Sequence, residues 1–303
     1  MNTYYLNDMP LSRFGFVPGH APGSNLALSG AWDMPARTGE SYRQWGGESG
    51  VEPYVRTDDR YVFDTREIQL AGALVADDEE TLLERIEAFR DFLAALPAAV
   101  ELRCRWGRWR VGLRREVRIA PRRRIASVAL TFTEPVPEAP DFSGETAEWP
   151  RQWILATGHW NRLGVWEDDA PWFGRPTAGA VDEWLWESLG LTVASTDGVW
   201  DLPAARELQS NLCPPSDGWV RGGLDKRTLT LEATLRAADM AEFKRRARSL
   251  WWLFGRPGLR KLRYKNRLYT LFAVEGFRLA DIRKQKERVY ARFTVKLIEA
   301  HES

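Results

Sequence analysis

The phrase Trp-Asp-apolar-Pro-Ala occurs twice in this chain, and this repetition constrains the fold more than any other feature of the sequence. One copy begins at Trp32 and the other at Trp200. Each is followed by a segment of alternating apolar and polar residues, Thr65–Ala76 in the first half and Lys226–Ala237 in the second. Because alternation with a period of two is typical of a half-buried β-strand, we predict an internal duplication that includes a strand in each copy.

A helical pattern follows each of these strands. Apolar residues recur at spacings of three and four in both halves: Leu82, Ile86, Phe89, Leu93 and Leu96, then Met240, Phe243, Ala247, Leu250 and Phe254. Asp77 and Asp239 stand at the predicted N-caps, where a carboxylate accepts bonds from free amides. Proline and glycine after each pattern predict the helix ends. Each helix should therefore pack its apolar face on a sheet.

Further strands are predicted after each helix. Val100–Trp106 alternates, turns at Gly107 and continues as a second strand, and a matching hairpin in the second half has its predicted turn at Lys265–Arg267. Each half closes on an alternating segment, Ile125–Glu134 and Ala291–Ala300. The order strand, loop, strand, helix, hairpin, strand thus occurs twice, which predicts an α+β, mainly β chain of two tandem modules.

The two modules are predicted at residues 1–140 and 183–303, with a linker and a Trp-rich insertion at 141–182. The linker is rich in proline and acidic residues, a composition typical of a stiff connection. The insertion has no counterpart in the first half and contains Trp153, Trp160, Trp166 and Trp172. These rings could stack on a sugar, dock on another subunit or pack on the parent module; docking or packing is favoured, because large aromatic residues dominate cores and interfaces.

Composition excludes several classes of function. Lys and Arg number 43 against 42 Asp and Glu, so no overall field steers the chain toward nucleic acid or membrane. The two cysteines, Cys104 and Cys213, form neither a disulfide framework nor a metal-ligand set. The N-terminus lacks the pattern of a signal peptide and no apolar run is long enough for a membrane span. We expect folding in the cytoplasm and no membrane anchor.

The sequence carries no recognisable catalytic motif. The histidines are His20, His159 and His301, and none has the spacing of a metal site. Nucleophile elbows, phosphate loops and dinucleotide fingerprints are missing. Acidic pairs fall at turns or helix starts, where carboxylates have structural roles. We therefore predict a protein that is not an enzyme and uses no cofactor or metal.

The segment Arg103–Arg124 is rich in arginine and contains two tryptophans. Arginine and tryptophan alternate along its strands, so they should face opposite sides of the sheet, whereas a nucleic-acid stacking platform needs both on one side. The matching segment of the second half is also basic: Arg260, Lys261, Arg263, Lys265 and Arg267. A basic surface in both halves favours a shared interface with an acidic partner or a channel wall. An ordinary solvated face and nucleic-acid binding stay open as alternatives.

The opening YLNDMPLSRFGFVPG, Tyr5–Gly19, resembles the start of phage distal tail (Dit) proteins. The order of elements after it is also similar, down to a closing strand that ends in Leu-Thr-Phe-Thr-Glu-Pro. The second half resembles the same module with its opening reduced to Trp184–Thr196. In ordinary distal tail proteins the second domain usually has another fold, often a carbohydrate-binding one.

This resemblance implies a tail-tube fold, with each module a β-sandwich flanked by one α-helix. It implies a structural ring component of a phage tail tip or baseplate that joins the tail tube to the baseplate around a central channel. The implied partners are further copies of the chain, as a ring of six or of three with pseudo-sixfold symmetry, the tail tube protein and other tail-tip or baseplate proteins. DNA or an effector would be passing cargo. The implied location is the virion tail, assembled in the host cytoplasm; the alternative is a tail accessory protein that binds carbohydrate or a receptor through the Trp-rich insertion.

The predicted subunit interface combines the repeated phrase, the basic strands and the loop from Gly39 to Arg60. That loop is too long to be idle in a compact domain, and exposed sheet edges need a covering partner. The residues predicted to lie in this interface are Trp32, Asp33, Pro35, Tyr42, Trp45, Arg103, Arg105, Trp200, Asp201, Pro203, Arg263 and Lys265.

Overall fold

The structure, a computed structural model, is mainly β, with two long α-helices among the residues that it describes. The described residues are 3–38, 41–43, 51–54, 62–114, 117–137, 152–154, 158–160, 166–168, 182–184, 190–198, 201–209, 219–255, 260–264 and 267–300. No helix among them is long and apolar enough to cross a membrane. Within the same residues, no cluster of His, Cys, Asp or Glu side chains could hold a metal ion.

The first half of the chain folds around a nine-stranded sheet. Its order is β2-β1-β8-β9-β11-β7-β3, with β4 also beside β7 and β10 beside β11, while β5 and β6 form a separate pair. Helix α1, Glu79–Ala94, connects β7 to β8. The strands are β1 Tyr5–Leu6, β2 Met9–Pro10, β3 Phe16–Pro18, β4 Leu28–Ser29, β5 Ser41–Arg43, β6 Glu52–Tyr54, β7 Arg66–Val75, β8 Val100–Cys104, β9 Gly107–Leu113, β10 Arg118–Arg122 and β11 Ile125–Glu134.

The second half contains a seven-stranded sheet in the order β15-β12-β20-β21-β22-β19-β16. Helix α2, Met240–Gly255, follows β19. Strands β13 and β14 form one separate pair and β17 and β18 another. The strands are β12 Gln152–Ile154, β13 Gly158–Trp160, β14 Trp166–Asp168, β15 Asp182–Trp184, β16 Leu191–Asp197, β17 Ala205–Gln209, β18 Trp219–Leu224, β19 Thr228–Ala237, β20 Arg260–Tyr264, β21 Arg267–Gln285 and β22 Arg288–Glu299.

The two sheets have the same sequence of hydrogen-bonded neighbours: β8-β9-β11-β7-β3 in the first half and β20-β21-β22-β19-β16 in the second. In each half a long antiparallel ladder joins the strand before the helix to the closing strand, β7 to β11 and β19 to β22. Strand β9 pairs with β8 along most of its length and with β11 only at its last two residues, so the first sheet curls at this point.

Local details recur at matching places. Gly30 and Gly198 both have a positive φ, 75° and 79°. A Cβ on either would collide with the backbone carbonyl of the neighbouring strand, at Glu67 and Thr228 respectively. Glycine is therefore required at both turns, because an L side chain rarely adopts this conformation and would have no space.

The same ion pair stands at the end of each closing strand. Arg66 Nε donates to Glu134 Oε2 at 2.7 Å, with both residues buried. In the second half, Arg227 Nη1 lies 3.1 Å from Glu299 Oε2, with both side chains more exposed than in the first pair. In each pair, the arginine stands at or immediately before the start of the strand that leads to the helix, β7 or β19, and the glutamate is the last residue of the closing strand, β11 or β22.

The helices pack as their periodicity predicts. Leu82, Ile86, Phe89 and Leu93 are the buried residues of α1, and the predicted apolar positions of α2 are buried as well. Leu96, predicted as part of the first helix, lies beyond its end at Ala94 and is half-buried. Asp239 accepts from the N–H of Glu242 at 2.7 Å and confirms the predicted N-cap. The predicted N-cap of α1 was wrong: Asp78, rather than Asp77, accepts from the N–H of Thr81 at 2.7 Å. The two aspartates are adjacent, and the backbone conformation selects the one that can reach this amide.

The alternation in the arginine-rich segment is confirmed. Trp106 and Trp109 are buried, whereas Arg105, Arg108 and Arg110 are exposed. The tryptophans therefore belong to the core, and the arginines form the outer face of the hairpin. One cluster of buried hydrophobic residues continues through both halves of the chain, from Tyr4 to Leu297.

Two further strands extend the second sheet. Strand β12 lies within the predicted linker and insertion region, and β15 lies at its C-terminal border. Gln152–Ile154 lies parallel to β20 on one side and to β15 on the other. Of the four tryptophans named in the Trp-rich insertion, Trp153, Trp160 and Trp166 lie in strands, and Trp172 falls outside the described residues. Glycan or receptor binding by this insertion stays a prediction.

Candidate assembly interface

The first Trp-Asp-apolar-Pro-Ala segment lies between the two halves of the chain. Trp32 is only 8% exposed. Its ring meets Trp109 of the first sheet edge-on at 6.1 Å and Phe243 of α2 edge-on at 5.6 Å. Its carbonyl accepts from Trp251 Nε1 at 3.4 Å. This tryptophan therefore joins the first sheet to the helix of the second half.

Asp33 holds the outer edge of β21. Its Oδ1 accepts from the N–H of Leu279 at 2.7 Å, and its carbonyl accepts from Arg66 Nη1 at 3.1 Å. Burial raises the pKa of Asp33 to about 6, although the Leu279 amide and the charges of Arg278 and Arg66 act in the opposite direction. The carboxylate thus satisfies an edge amide of the second sheet at an electrostatic cost.

Met34 continues the contact along β21. Its N–H donates to the carbonyl of Phe277 at 3.0 Å, and the two residues form an isolated antiparallel bridge. A Cβ on Gly276 would collide with the Met34 carbonyl, so only glycine permits this approach. Arg37 Nη1 then donates to the carbonyl of Gly255, the last residue of α2, at 2.9 Å. A cation at a helix C-terminus is favourable because free carbonyls converge there.

A loop of the first half covers the far end of the same edge. Ser24 Oγ donates to the carbonyl of Ile282 at 2.6 Å, and the N–H of Asn25 donates to the same carbonyl at 3.0 Å. The Asn25 side chain donates to the carbonyl of Lys284 and accepts from its N–H, both at 2.7 Å. The first half thus covers the outer edge of β21 from Gly276 to Lys284, where an open edge would be prone to pairing with another chain.

The described parts of the long loop also lie on the second half. The Tyr42 ring lies 6.4 Å from Phe272, and Lys226 Nζ donates to Tyr42 Oη at 2.6 Å. Val51 forms a parallel bridge with Ala300. The contact predicted for this loop with a neighbouring subunit is thus, in these parts, a contact with the second half of the same chain.

The second Trp-Asp-apolar-Pro-Ala segment has the same local bonds in a different environment. The N–H of Asp225 donates to the carbonyl of Ala204 at 2.8 Å, as Asp64 does to Ala36 in the first half at the same distance. Met34 is 3% exposed, whereas Leu202, which holds its position in the second phrase, is 79% exposed. Equal local structure therefore accompanies a buried segment in one half and an exposed segment in the other.

The structure distributes the other predicted interface residues as follows. Arg103 is half-buried, forms a 2.9 Å ion pair with Asp8 and lies over the Tyr5 ring, while the exposed Arg105 lies over the Trp106 ring. Pro35 and Pro203 are half-buried and Asp201 is exposed; Arg263 belongs to β20. Trp45, Trp200 and Lys265 fall outside the described residues. Trp32, Asp33 and Tyr42 contact the other half of their own chain, and contact between chains stays a prediction.

Sequence reasoning missed the partners of the buried segment. Phe277, Leu279 and Ile282 provide the strand edge, and Ser24 and Asn25 provide the second covering loop. One signal was available, because a glycine inside a strand pattern indicates close approach of another backbone. Gly276 lies within Arg267–Gln285 and has this role.

A cavity of about 1220 Å³ lies between the first sheet and α2, beside Trp32. Two charged groups of its lining, Glu134 and Lys244, have partners within the fold: Glu134 binds Arg66, and Lys244 Nζ donates to the carbonyl of Trp106 at 3.2 Å. The Lys244 contact joins α2 to the first half, whereas the Glu134–Arg66 pair lies within the first half. That the protein is not an enzyme stays a prediction.

No family model matches the chain, and no curated protein matches it. Among solved structures, the chain is similar to the crystal structure of the SPP1 Dit (gp 19.1) protein, described as a paradigm of the hub adsorption apparatus in phages that infect Gram-positive bacteria. The match covers 99% of this chain and 98% of that chain, with 11% identity and a TM-score of 0.33. Overlap at this level does not establish a common fold.

Proposed function

We propose that this protein is a structural, ring-forming component of a phage tail tip or baseplate, built from two tandem copies of one tail-tube-like module. The observation that carries the proposal is the contact within the chain. Two sheets with the same order of neighbours meet, and loops of the first cover the strand edge of the second. The recurrence of Gly30 and Gly198, and of the two arginine–glutamate pairs, supports the tandem relation.

The contact is heterologous, since a loop of one copy binds a strand edge of the next. Contacts of this kind generate closed rings when the rotation between copies closes on itself. Three chains would then provide six modules with pseudo-sixfold symmetry, or six chains would form a ring with one module each at the channel. The ring would join the tail tube to the baseplate around a channel for DNA or an effector. The resemblance of Tyr5–Gly19 to distal tail proteins supports this setting.

Native mass spectrometry of the purified chain tests the proposal. We expect an assembly of three or six chains, because each unpaired module leaves sheet edges that association would cover. Negative-stain electron microscopy of the same sample should show rings with a central opening. A chain that stays monomeric from micromolar to high micromolar concentration, at low and physiological salt, would contradict the proposal.

A further inference from the structure

Strand registers identify which residues of the two sheets correspond. In the first sheet, Val128 of β11 pairs with Ile119 of β10 on one side and with Gly72 of β7 on the other. In the second sheet, Phe293 of β22 pairs in the same way with Leu279 of β21 and with Ala233 of β19. Gly72 and Ala233 each lie six residues before the N-cap of their helix. Ile119 is therefore the counterpart of Leu279, and β10 is the counterpart of the edge that the first half covers.

The two edges differ in their surroundings. The edge of β21 binds Asp33, Met34 and Asn25. Among the described residues, β10 has a hydrogen-bonded neighbour on one side only, β11. Within the part of the chain that the structure describes, the edge of β10 is therefore open, whereas the corresponding edge of β21 is covered by the first half.

A groove of about 1020 Å³ lies between α1 and β10, and we call it the α1–β10 groove. Its apolar lining comes from both elements: Leu83, Ile86, Leu93, Val117 and Ile119. Leu83 is 52% exposed at this groove. Counted from the N-cap of each helix, Arg90 and Ala94 of this groove correspond to Trp251 and Gly255 of α2. In the second half, Trp251 donates to the carbonyl of Trp32, and the carbonyl of Gly255 accepts from Arg37.

The chain also carries a second copy of the segment that fills such a groove. Asp201–Ala204 has the turn and closing bonds of Asp33–Ala36, and its Leu202 projects into solvent. In the position of Asp33, the carboxylate of Asp201 would accept from the N–H of Ile119. Charge is complementary as well, because Arg90 lines the groove and Arg118 stands where Arg278 faces Asp33.

We propose that the Asp201–Ala204 segment of one chain docks in the α1–β10 groove of a second copy, repeating between chains the contact that Asp33–Ala36 makes within the chain. The inference rests on the proposed function and specifies its subunit contact. After each docking step, one groove and one segment remain free at the two ends, so association continues head to tail until a ring closes.

Site-directed cross-linking tests the contact. Within the chain, Met34 lies beside Phe277, which is two residues before Leu279. Val117 is two residues before Ile119, the counterpart of Leu279. Leu202, the counterpart of Met34, should therefore lie beside Val117 of the next chain. Leu202→Cys and Val117→Cys chains, each in a Cys213→Ser background that retains the buried Cys104, are mixed and oxidised with copper phenanthroline. We expect a covalent dimer in this mixture. A mixture of Leu202→Cys with Val17→Cys, an exposed position on β3, is the control and should give little dimer.

A non-covalent variant gives an independent measurement. Leu202→Asp should weaken assembly at least about tenfold in native mass spectrometry, because it places a charge in an apolar groove. Leu202 is exposed, so the variant chain should keep the circular dichroism spectrum and melting temperature of the wild type. Val17→Asp should assemble normally.

The outcomes separate the two proposals. A wild-type multimer that gives no Leu202–Val117 cross-link and is unaffected by Leu202→Asp overturns the docking site and leaves the ring intact. A wild-type chain that is monomeric under all conditions overturns both. Cross-linking confined to the Leu202–Val117 mixture, together with loss of assembly in Leu202→Asp, supports both.

Discussion

At the scale of single residues, Asp33 has two opposed effects. It satisfies the edge amide of Leu279, and it is buried as an ionised group near neutral pH. Burial penalises the charged form, while the amide and the nearby arginines favour it. Because the pKa of Asp33 is raised to about 6, burial has the larger effect. The contact between the halves that Asp33 makes is therefore sensitive to pH near 6.

We expect Asp33→Asn to remove a pH dependence of stability. The pKa of Asp33 rises from an ordinary 3.8 to about 6 in the folded chain, so its contribution is fully present below pH 3.8 and is lost as pH rises through 6. At 1.36 kcal/mol per pKa unit, the loss is up to about 3 kcal/mol. Asn retains an oxygen that can accept from Leu279, so the variant should exceed the wild type in stability at pH 7 and match it near pH 4.

Urea unfolding at a series of pH values, at one low protein concentration, measures this difference. Asp91→Asn, at an exposed position of α1, is the matched control and should follow the wild-type curve. A constant offset between Asp33→Asn and the wild type from pH 4 to pH 7 would show that Asp33 does not titrate in this range.

At the scale of elements, the outer edge of β21 is the central feature of the molecule. A bare strand edge invites pairing with other chains, and here loops from the other half of the chain provide the missing donors and acceptors. The bridge between Met34 and Phe277 depends on the absence of a side chain at Gly276. The contact between the halves is therefore specified by backbone geometry as well as by apolar burial.

We expect Gly276→Ala to destabilise the chain by about 1–3 kcal/mol, the usual cost of overpacking a close contact. The new Cβ would displace the Met34 carbonyl, so hydrogen exchange at the Met34 amide should accelerate more than exchange within α1. Gly19→Ala is the control, because its Cβ would lie at ordinary contact distance, 3.4 Å from Gly72 Cα. Equal effects of the two substitutions on unfolding would contradict the role assigned to Gly276.

At the scale of the whole molecule, the two halves share one core. Most buried hydrophobic residues belong to one cluster that runs from the first sheet through Trp32 and Met34 to α2 and β21, and a second, small cluster contains Val51 and Phe272. Separate domains would instead be expected to meet through a smaller and more polar surface. The chain is thus organised as two similar sheets with one continuous interior.

We expect this continuity to produce a single cooperative unfolding transition in differential scanning calorimetry. In a two-state transition the calorimetric enthalpy equals the van't Hoff enthalpy. The halves should separate only when the contact between them is weakened, so Gly276→Ala should broaden the transition or divide it. Two resolved transitions in the wild-type chain would contradict a shared core.

Local structure was largely predictable because it depends on neighbouring residues. The strand predicted at Thr65–Ala76 is observed at Arg66–Val75, and the closing strand predicted at Ile125–Glu134 has the same bounds in the structure. Period-two and helical spacings record which face of an element is buried, and that information is present in any short window. The N-cap of α1 was misplaced by one residue, since adjacent aspartates look alike in sequence.

The sequence by itself determined the elements, their order and the repetition of Trp-Asp-apolar-Pro-Ala. Only the tertiary structure decided that one copy of the phrase is buried on β21 and the other is exposed, with Met34 and Leu202 at the two extremes. The two phrases are nearly identical, so nothing within them distinguishes these environments. The difference comes from which strand edge lies within reach. Every backbone carries the same donor and acceptor, so a pairing with a segment distant in sequence leaves no pattern within either phrase.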